Sequence, residues 1–156
     1  MVKITIISDT HGNKALLRKL DGVIKECDYI IHAGDGAGDA AEIREKVGDK
    51  VISVPGNCDY VGGAAEFVTE IGGKKFFITH GHHYAVKKDL ERLKERAGEV
   101  GADVVVYGHT HCAEIVKDGE TLFINPGSFL PRGGAPTYCY AIISGGKIAA
   151  RIVEIN

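Results

Sequence analysis

Five short apolar runs, VKITII, YII, VISV, KKFFI and ADVVVY, each lead directly into residues able to bind a hard or intermediate metal ion. In chain order these are Asp9 and His11 in SDTHGN, Asp35 in HAGDG, Asn57 in PGNCD, His80 in THGHH, and His109 with His111 in YGHTH. A strand that delivers one oxygen or nitrogen ligand at its carboxyl end, repeated five times, describes a metal cluster on the rim of a sheet. Open α/β sheets place their chemistry at that rim. The order of the clusters is far more specific than any one of them.

The segments between the clusters set the architecture. Leu16, Leu17, Leu20, Val23 and Ile24 recur at helical spacing in KALLRKLDGVIKE, with Asp21-Gly22 interrupting the pattern. After strand YIIHA, DAAEIREKVG reads as a short helix ended by Gly48, and VISVP as a further strand. The second half changes character. FVTEIGGKKFFITHG is a hairpin turning at Gly72-Gly73, AEIVKDGETLFIN one turning at Asp118-Gly119, and YCYAIISGGKIAARIVEI one turning at Gly145-Gly146. Val86, Leu90, Leu93 and Ala97 form a helical stripe ahead of strand ADVVVY. Strands alternating with helices, followed by hairpins, predict a layered α/β sandwich of two packed sheets with helices outside.

Composition narrows the function classes. The 156 residues suit a single domain over 1–156, and 44% apolar with 26% charged residues is ordinary for a soluble protein. No apolar stretch approaches the roughly 20 residues of a membrane span, and MVKITIISD lacks a signal-peptide pattern, so a cytoplasmic protein with no membrane partner is expected. Cys27, Cys58, Cys112 and Cys139 are scattered without a CxxC pair, which predicts reduced thiols. A net charge of −2 without a basic stripe argues against nucleic acid as a partner. Positive charge for binding phosphate would then come from metal ions rather than side chains.

Within the clusters, extended backbone would point residues two apart to the same side, so Asp9 with His11, and His109 with His111, could each serve one ion. Taken alone, Asp35 reads more readily as a turn residue and Asn57 as a turn cap. As a ligand, the Asn57 amide oxygen would serve where another carboxylate would over-neutralise the site. His32 could hydrogen-bond a ligand or be structural. Asn13 could meet a substrate phosphate or cap a helix. Arg132 could contact substrate or be merely solvated.

The ordered set closely resembles the calcineurin-like metallophosphoesterases, whose pattern is DxH, GD, GN[HC]D, a histidine-glycine element and GHxH. It is especially similar to the small YfcE-like phosphodiesterases, sharing also Asn125-Pro126-Gly127-Ser128 and Pro131-Arg132-Gly133-Gly134. The resemblance spans essentially the whole chain. It implies the metallo-dependent phosphatase fold, an αββα sandwich of two mixed sheets flanked by helices. It implies two divalent ions, manganese or nickel foremost and iron or zinc also fitting, since the donors are oxygen and nitrogen without thiolate. One ion would be held by Asp9, His11, Asp35 and His111, the second by Asp35, Asn57, His80 and His109, with Asp35 bridging. The implied reaction is hydrolysis of a small phosphodiester by in-line attack of a bridging hydroxide.

The same pattern assigns the ligand role to His80, the histidine before glycine. That leaves His82 as a candidate for substrate contact or ligand support and His83 as an ordinary exposed residue. Cys58 departs from the histidine that many relatives use to protonate the leaving oxygen. A thiol with an unperturbed pKa of about 8.5 is a poor substitute, and a missing general acid costs on the order of 10²–10⁴ in rate for a poor leaving group. Asp59, with no imidazole to align, would only hold the loop. A catalytically weak protein-interaction scaffold, similar to the retromer subunit of this fold, is the competing expectation; the presence of all seven ligands counts against it. Homo-oligomerisation is left open.

Overall fold

The β-branched run VKITII forms β1 (Val2–Ile7) in the computed structural model, which describes residues 1–156. It is followed by α1 (Lys14–Lys19), α2 (Asp21–Glu26), β2 (Tyr29–His32), α3 (Ala37–Val47) and β3 (Val51–Ser53). Next come the hairpin of β4 (Glu66–Ile71) and β5 (Lys74–Thr79), then α4 (Glu91–Val100) and β6 (Val104–Val106). Two more hairpins complete the chain, β7 (Glu114–Asp118) with β8 (Thr121–Asn125), and β9 (Thr137–Ser144) with β10 (Lys147–Glu154).

The strands divide into two five-stranded sheets, ordered β10-β9-β1-β2-β3 and β4-β5-β6-β8-β7. Both are mixed. In the first, β1, β2 and β3 are parallel and β9 runs antiparallel to β1. In the second, β5, β6 and β8 are parallel, with β4 and β7 antiparallel at the edges.

Strand alternation builds the layers. Ile4 and Ile6 of β1, Phe76 and Ile78 of β5, and Val104 and Val106 of β6 fill the space between the sheets. The opposite face of the first sheet, through Ile7 and Ile30, packs on Leu17, Leu20, Ile24 and Ile43 from the α1–α3 side. The opposite face of the second, through Phe77 and Val105, packs on Leu93 and Ala97 of α4. The result is the αββα sandwich expected. No helix is long and apolar enough to cross a membrane.

Three helix boundaries differ from the sequence pattern. The first helix divides at Leu20, the shared cap of α1 and α2, next to the Asp21-Gly22 break. Helix α3 begins at Ala37, two residues before the predicted Asp39, because Asp59 receives its first amides. Helix α4 begins at Glu91 rather than Val86, since Ala85 turns left-handed at φ 51°. Val86 still packs with Leu93, so its place in the apolar stripe reflects tertiary contact, not helix.

Candidate metal centre

The parallel strands β1, β2 and β3 end at one rim, β5 and β6 end at the rim of the other sheet, and the two rims meet. His80, following β5, brings its Nε2 3.3 Å from Asp35 Oδ2 and 3.7 Å from Asp9 Oδ1. From the β6 side, His111 Nε2 lies 3.2 Å from Asp9 Oδ1 and 3.4 Å from His11 Nε2. His109 places its ring 5.1 Å from that of His80. Six of the seven sequence candidates therefore converge through side chains alone.

They do not converge by extended backbone. Asp9, His11, Asp35, His109 and His111 have φ of 53°, 46°, 58°, 73° and 62°, the left-handed region. The two-residue alternation expected for Asp9/His11 and His109/His111 thus does not apply, because the chain has left the strand and is coiling back. Aspartate and histidine tolerate this conformation better than most residues, yet it still costs of order 1 kcal/mol each. Apart from glycine, only Ala85 shares it. Backbone strain in this molecule is concentrated on the candidate ligands.

Hydrogen bonds hold the strained loops. Asp9 N–H donates to Gly34 C=O at 2.9 Å and His11 N–H to Asp35 C=O at 3.0 Å, tying the first loop to the second. Asp9 Oδ2 accepts from Ser8 Oγ at 2.6 Å and from His109 N–H at 3.0 Å. Asp35 Oδ1 accepts Cys58 N–H at 2.8 Å. His80 Nδ1 bonds Ala33 C=O and His111 Nδ1 bonds Leu130 C=O, both at 2.7 Å, which puts the proton on Nδ1 and leaves each Nε2 free to ligate.

Two atoms at the heart of the cluster have no partner. Asp9 Oδ1 and His80 Nε2 are buried and form no hydrogen bond. Buried polar atoms are rarely left unsatisfied, and cations held in the two neighbouring donor groups would satisfy them. Ligand atoms of Asp9, His11 and His111 lie within 4.8 Å of one another, as do those of Asp35, His80 and His109. The donors thus fit a pair of divalent ions, with Asp35 also close to His11.

The electrostatics favour the same occupant. Burial opposes the Asp35 charge, but His80 and the Cys58 N–H outweigh it and hold its pKa far below the usual carboxylate range. Burial would lower His80, yet Asp35 and Asp9 raise it. Burial and the nearby His80 lower His109 to about 4, leaving a neutral imidazole able to ligate.

The remaining candidates sit around this cluster. Asn57 is exposed, with its amide nitrogen 3.6 Å from Cys58 Sγ and no hydrogen bond to the other six. Cys58 belongs to a third close group, with His11 and Asp35. Burial, then the Asp35 charge, pushes its thiol pKa up. His82 lies in a 3-10 turn with its ring 5.4 Å from that of His80, and its buried Nδ1 has no partner. His83 is exposed. Asn13 caps α1, accepting from Leu16 N–H at 3.2 Å. Arg132 is exposed.

Asp59, expected to hold its loop, and the NPGS motif support the centre through partners that the sequence did not reveal. Asp59 accepts from four backbone amides, those of Asp35, Gly36, Ala37 and Gly56, at 2.8–3.1 Å. Ser128 Oγ donates to Asp9 C=O at 2.8 Å, and Asn125 Nδ2 donates to Thr110 Oγ1 at 2.9 Å. The NPGS motif therefore buckles the last ligand loop to the first. Its presence in the sequence was the available signal; its partners were not legible there. Gly56 has a steric reason, since a Cβ there would fall 2.1 Å from Asp35 Oδ1.

Residues 2–146 match the calcineurin-like phosphoesterase superfamily domain. The chain belongs to that superfamily. It is 38% identical over 151 residues to the probable metallophosphoesterase YsnB of Bacillus subtilis, covering 92% of this chain and 84% of the relative. It is 28% identical to the phosphodiesterase YfcE of Escherichia coli, over 87% and 84% of the two chains. The crystal structure of a predicted phosphoesterase from Streptococcus pneumoniae superposes with a TM-score of 0.84 at 28% identity, covering 98% and 89%. Zinc-bound Vps29 of Entamoeba histolytica, at 22% identity, TM-score 0.76 and coverage of 99% and 100%, shares the fold alone. For this superfamily member, the coarse activity is metal-dependent hydrolysis of phosphoesters.

Proposed function

We propose that this chain is a dinuclear metal-dependent phosphodiesterase acting on small phosphodiesters, and that residues 1–156 form one cytoplasmic domain devoted to it. The observation that carries this reading is the unpartnered pair Asp9 Oδ1 and His80 Nε2, flanked by two groups of three potential ligands. In it Asp9, His11, Asp35 and His111 hold one ion, and Asp35, Asn57, His80 and His109 hold the other. Manganese or nickel suits these donors best, with iron or zinc also compatible. When bound, such a pair polarises a phosphoryl oxygen and lowers the pKa of a water held between the ions.

The chain's own groups do the rest. The His80 and His111 tautomers, set by Ala33 and Leu130 carbonyls, keep both Nε2 lone pairs directed inward without rearrangement. Asp35 joins the two ligand groups, with Oδ1 anchored on the Cys58 N–H and Oδ2 toward His80 and His11. Asn57, exposed beside Cys58, would supply its amide oxygen to the second ion. His82, its ring 5.4 Å from that of His80, would contact substrate or support that ligand. Cys58, a thiol of raised pKa, holds its proton and gives it up poorly to a leaving oxygen. The named activity of YfcE supports the diester over the monoester as substrate class.

Removing the ions tests the reading directly. Protein stripped by exhaustive chelation should hydrolyse no aryl phosphodiester, and added manganese or nickel should restore turnover. Full activity in a preparation shown metal-free by elemental analysis refutes it.

A further inference from the structure

Behind the candidate ligands lies a line of buried polar side chains that touches none of their metal-facing atoms. Thr10, between Asp9 and His11, is 0% exposed; His32 and Asp39 are each 1% exposed. Their protons can be ordered without ambiguity. Gly34 N–H donates to His32 Nδ1 at 3.1 Å, so that nitrogen carries no proton. His32 Nε2–H then donates to Thr10 Oγ1 at 2.9 Å, and the Thr10 hydroxyl donates to Asp39 Oδ2 at 2.5 Å. Asp39 also accepts Gly12 N–H at 2.9 Å and Lys14 Nζ at 2.6 Å. Every donor in the line has an acceptor.

The line joins two loops. Thr10 and Gly12 belong to the loop after β1, while His32 and Gly34 lead into the loop after β2, and Asp39 lies in the first turn of α3. Gly36 lies against the junction, where a Cβ would fall 2.1 Å from Thr10 Oγ1 and 2.6 Å from His32 Nε2. Asp9, His11 and Asp35, the left-handed residues of these loops, flank it on both sides.

We propose that the Thr10–His32–Asp39 line is a positioning device that locks the Asp9/His11 loop to the Asp35 loop, so that the left-handed backbone of all three candidate ligands is set before any ion arrives. The inference rests on the reading of this rim as a metal centre. Fully satisfied buried networks rigidify what they join, and outer partners of metal ligands commonly govern affinity. Burial holds His32 neutral, its pKa lowered to about 4, which keeps the one-donor, one-acceptor form the line requires at neutral pH. Asp39 is kept ionised: burial works against the charge, but Lys14, Thr10 and Gly12 together lower its pKa.

Thr10→Val preserves side-chain shape and removes the shared hydroxyl, whereas Thr10→Ser keeps it. Calorimetric titration of the full chain with manganese alone should show affinity falling roughly ten- to a hundredfold in Thr10→Val. Thr10→Ser should stay within about threefold of wild type. A purely structural role would lower the melting temperature of the metal-free protein yet leave manganese affinity of the folded molecules unchanged. That outcome overturns the proposal. Should Thr10→Val not fold, His32→Asn reads the same link, since its amide can still accept from Gly34 N–H but cannot reach Thr10; wild-type affinity there is equally fatal. Wild-type protein that takes up neither manganese nor, in parallel titrations, nickel, iron or zinc overturns the metal centre as well, whereas normal manganese uptake by wild type and Thr10→Val alike overturns this inference alone.

Discussion

Asp59 offers the sharpest test of how the centre is held together, because its carboxylate replaces water at four backbone amides at once. In Asp59→Ala the amides of Asp35 and Gly56, both in buried residues, lose their acceptor. A buried donor left unsatisfied costs about 1–3 kcal/mol, so the two contribute about 2–6. The amides of Gly36 and Ala37, in half-buried residues, regain water and add little. Loss of a negative charge at the start of α3 adds about 0.3–1 kcal/mol. The expected destabilisation is about 2–7 kcal/mol, large beside the roughly 5–15 kcal/mol of an ordinary domain. At about 2–4 °C per kcal/mol for a chain of this size, the melting temperature falls by about 5–28 °C.

Asp59→Asn discriminates further. An amide offers one oxygen, so its NH₂ must face two of the N–H donors, and the variant should be nearly as unstable as alanine. Urea unfolding followed by circular dichroism, in chelator so that bound ions contribute nothing, measures both. A loss below about 1 kcal/mol for alanine, or an asparagine variant as stable as wild type, refutes the four-amide account.

Three further outcomes are expected. Asp35→Ala should remove or weaken both ion-binding events and Asn57→Ala mainly one, so two undiminished events in calorimetry of the Asp35 variant would end its bridging role. Wild type should cleave aryl diesters much faster than alkyl ones, and Cys58→His should flatten rate against leaving-group pKa; abolition of aryl hydrolysis by Cys58→Ala with metal still bound would instead give the thiol a direct role. For pH, His32 titrates near 4 when folded and about 6.5 when unfolded, so its contribution to stability is present above about 6.5 and is lost as pH falls toward 4. Unfolding free energies of metal-free protein between those values should slope less steeply in His32→Asn, by up to about 1.4 kcal/mol per pH unit, and an unchanged slope contradicts a neutral buried imidazole.

The identities of the candidate ligands were legible because each follows an apolar run, and a strand end is a local feature. The layers were legible for the same reason: Ile4/Ile6 against Thr5/Ile7 alternate with period two whatever they pack against. Asp59 shows where local reading stops. Its sequence neighbours say nothing of Gly36 and Ala37, more than twenty residues earlier, whose amides it receives. Val86 shows the opposite error, an apolar residue at helical spacing that is buried without being helical.

Sequence by itself determined the chemistry available, five strand ends carrying oxygen and nitrogen donors with a thiol, Cys58, beside them. Tertiary structure alone decided how the donors meet. The final hairpin, β9 and β10, returns to pair with β1 in the first sheet while β8 stays in the second, and no local pattern announces that choice. The left-handed turns at Asp9, His11, Asp35, His109 and His111 are likewise invisible in composition. Isolated segments would relax from them. They persist because bonds such as Asp9 N–H to Gly34, His11 N–H to Asp35 and Ser128 to Asp9 span 25, 24 and 119 positions and exist only once both sheets have packed.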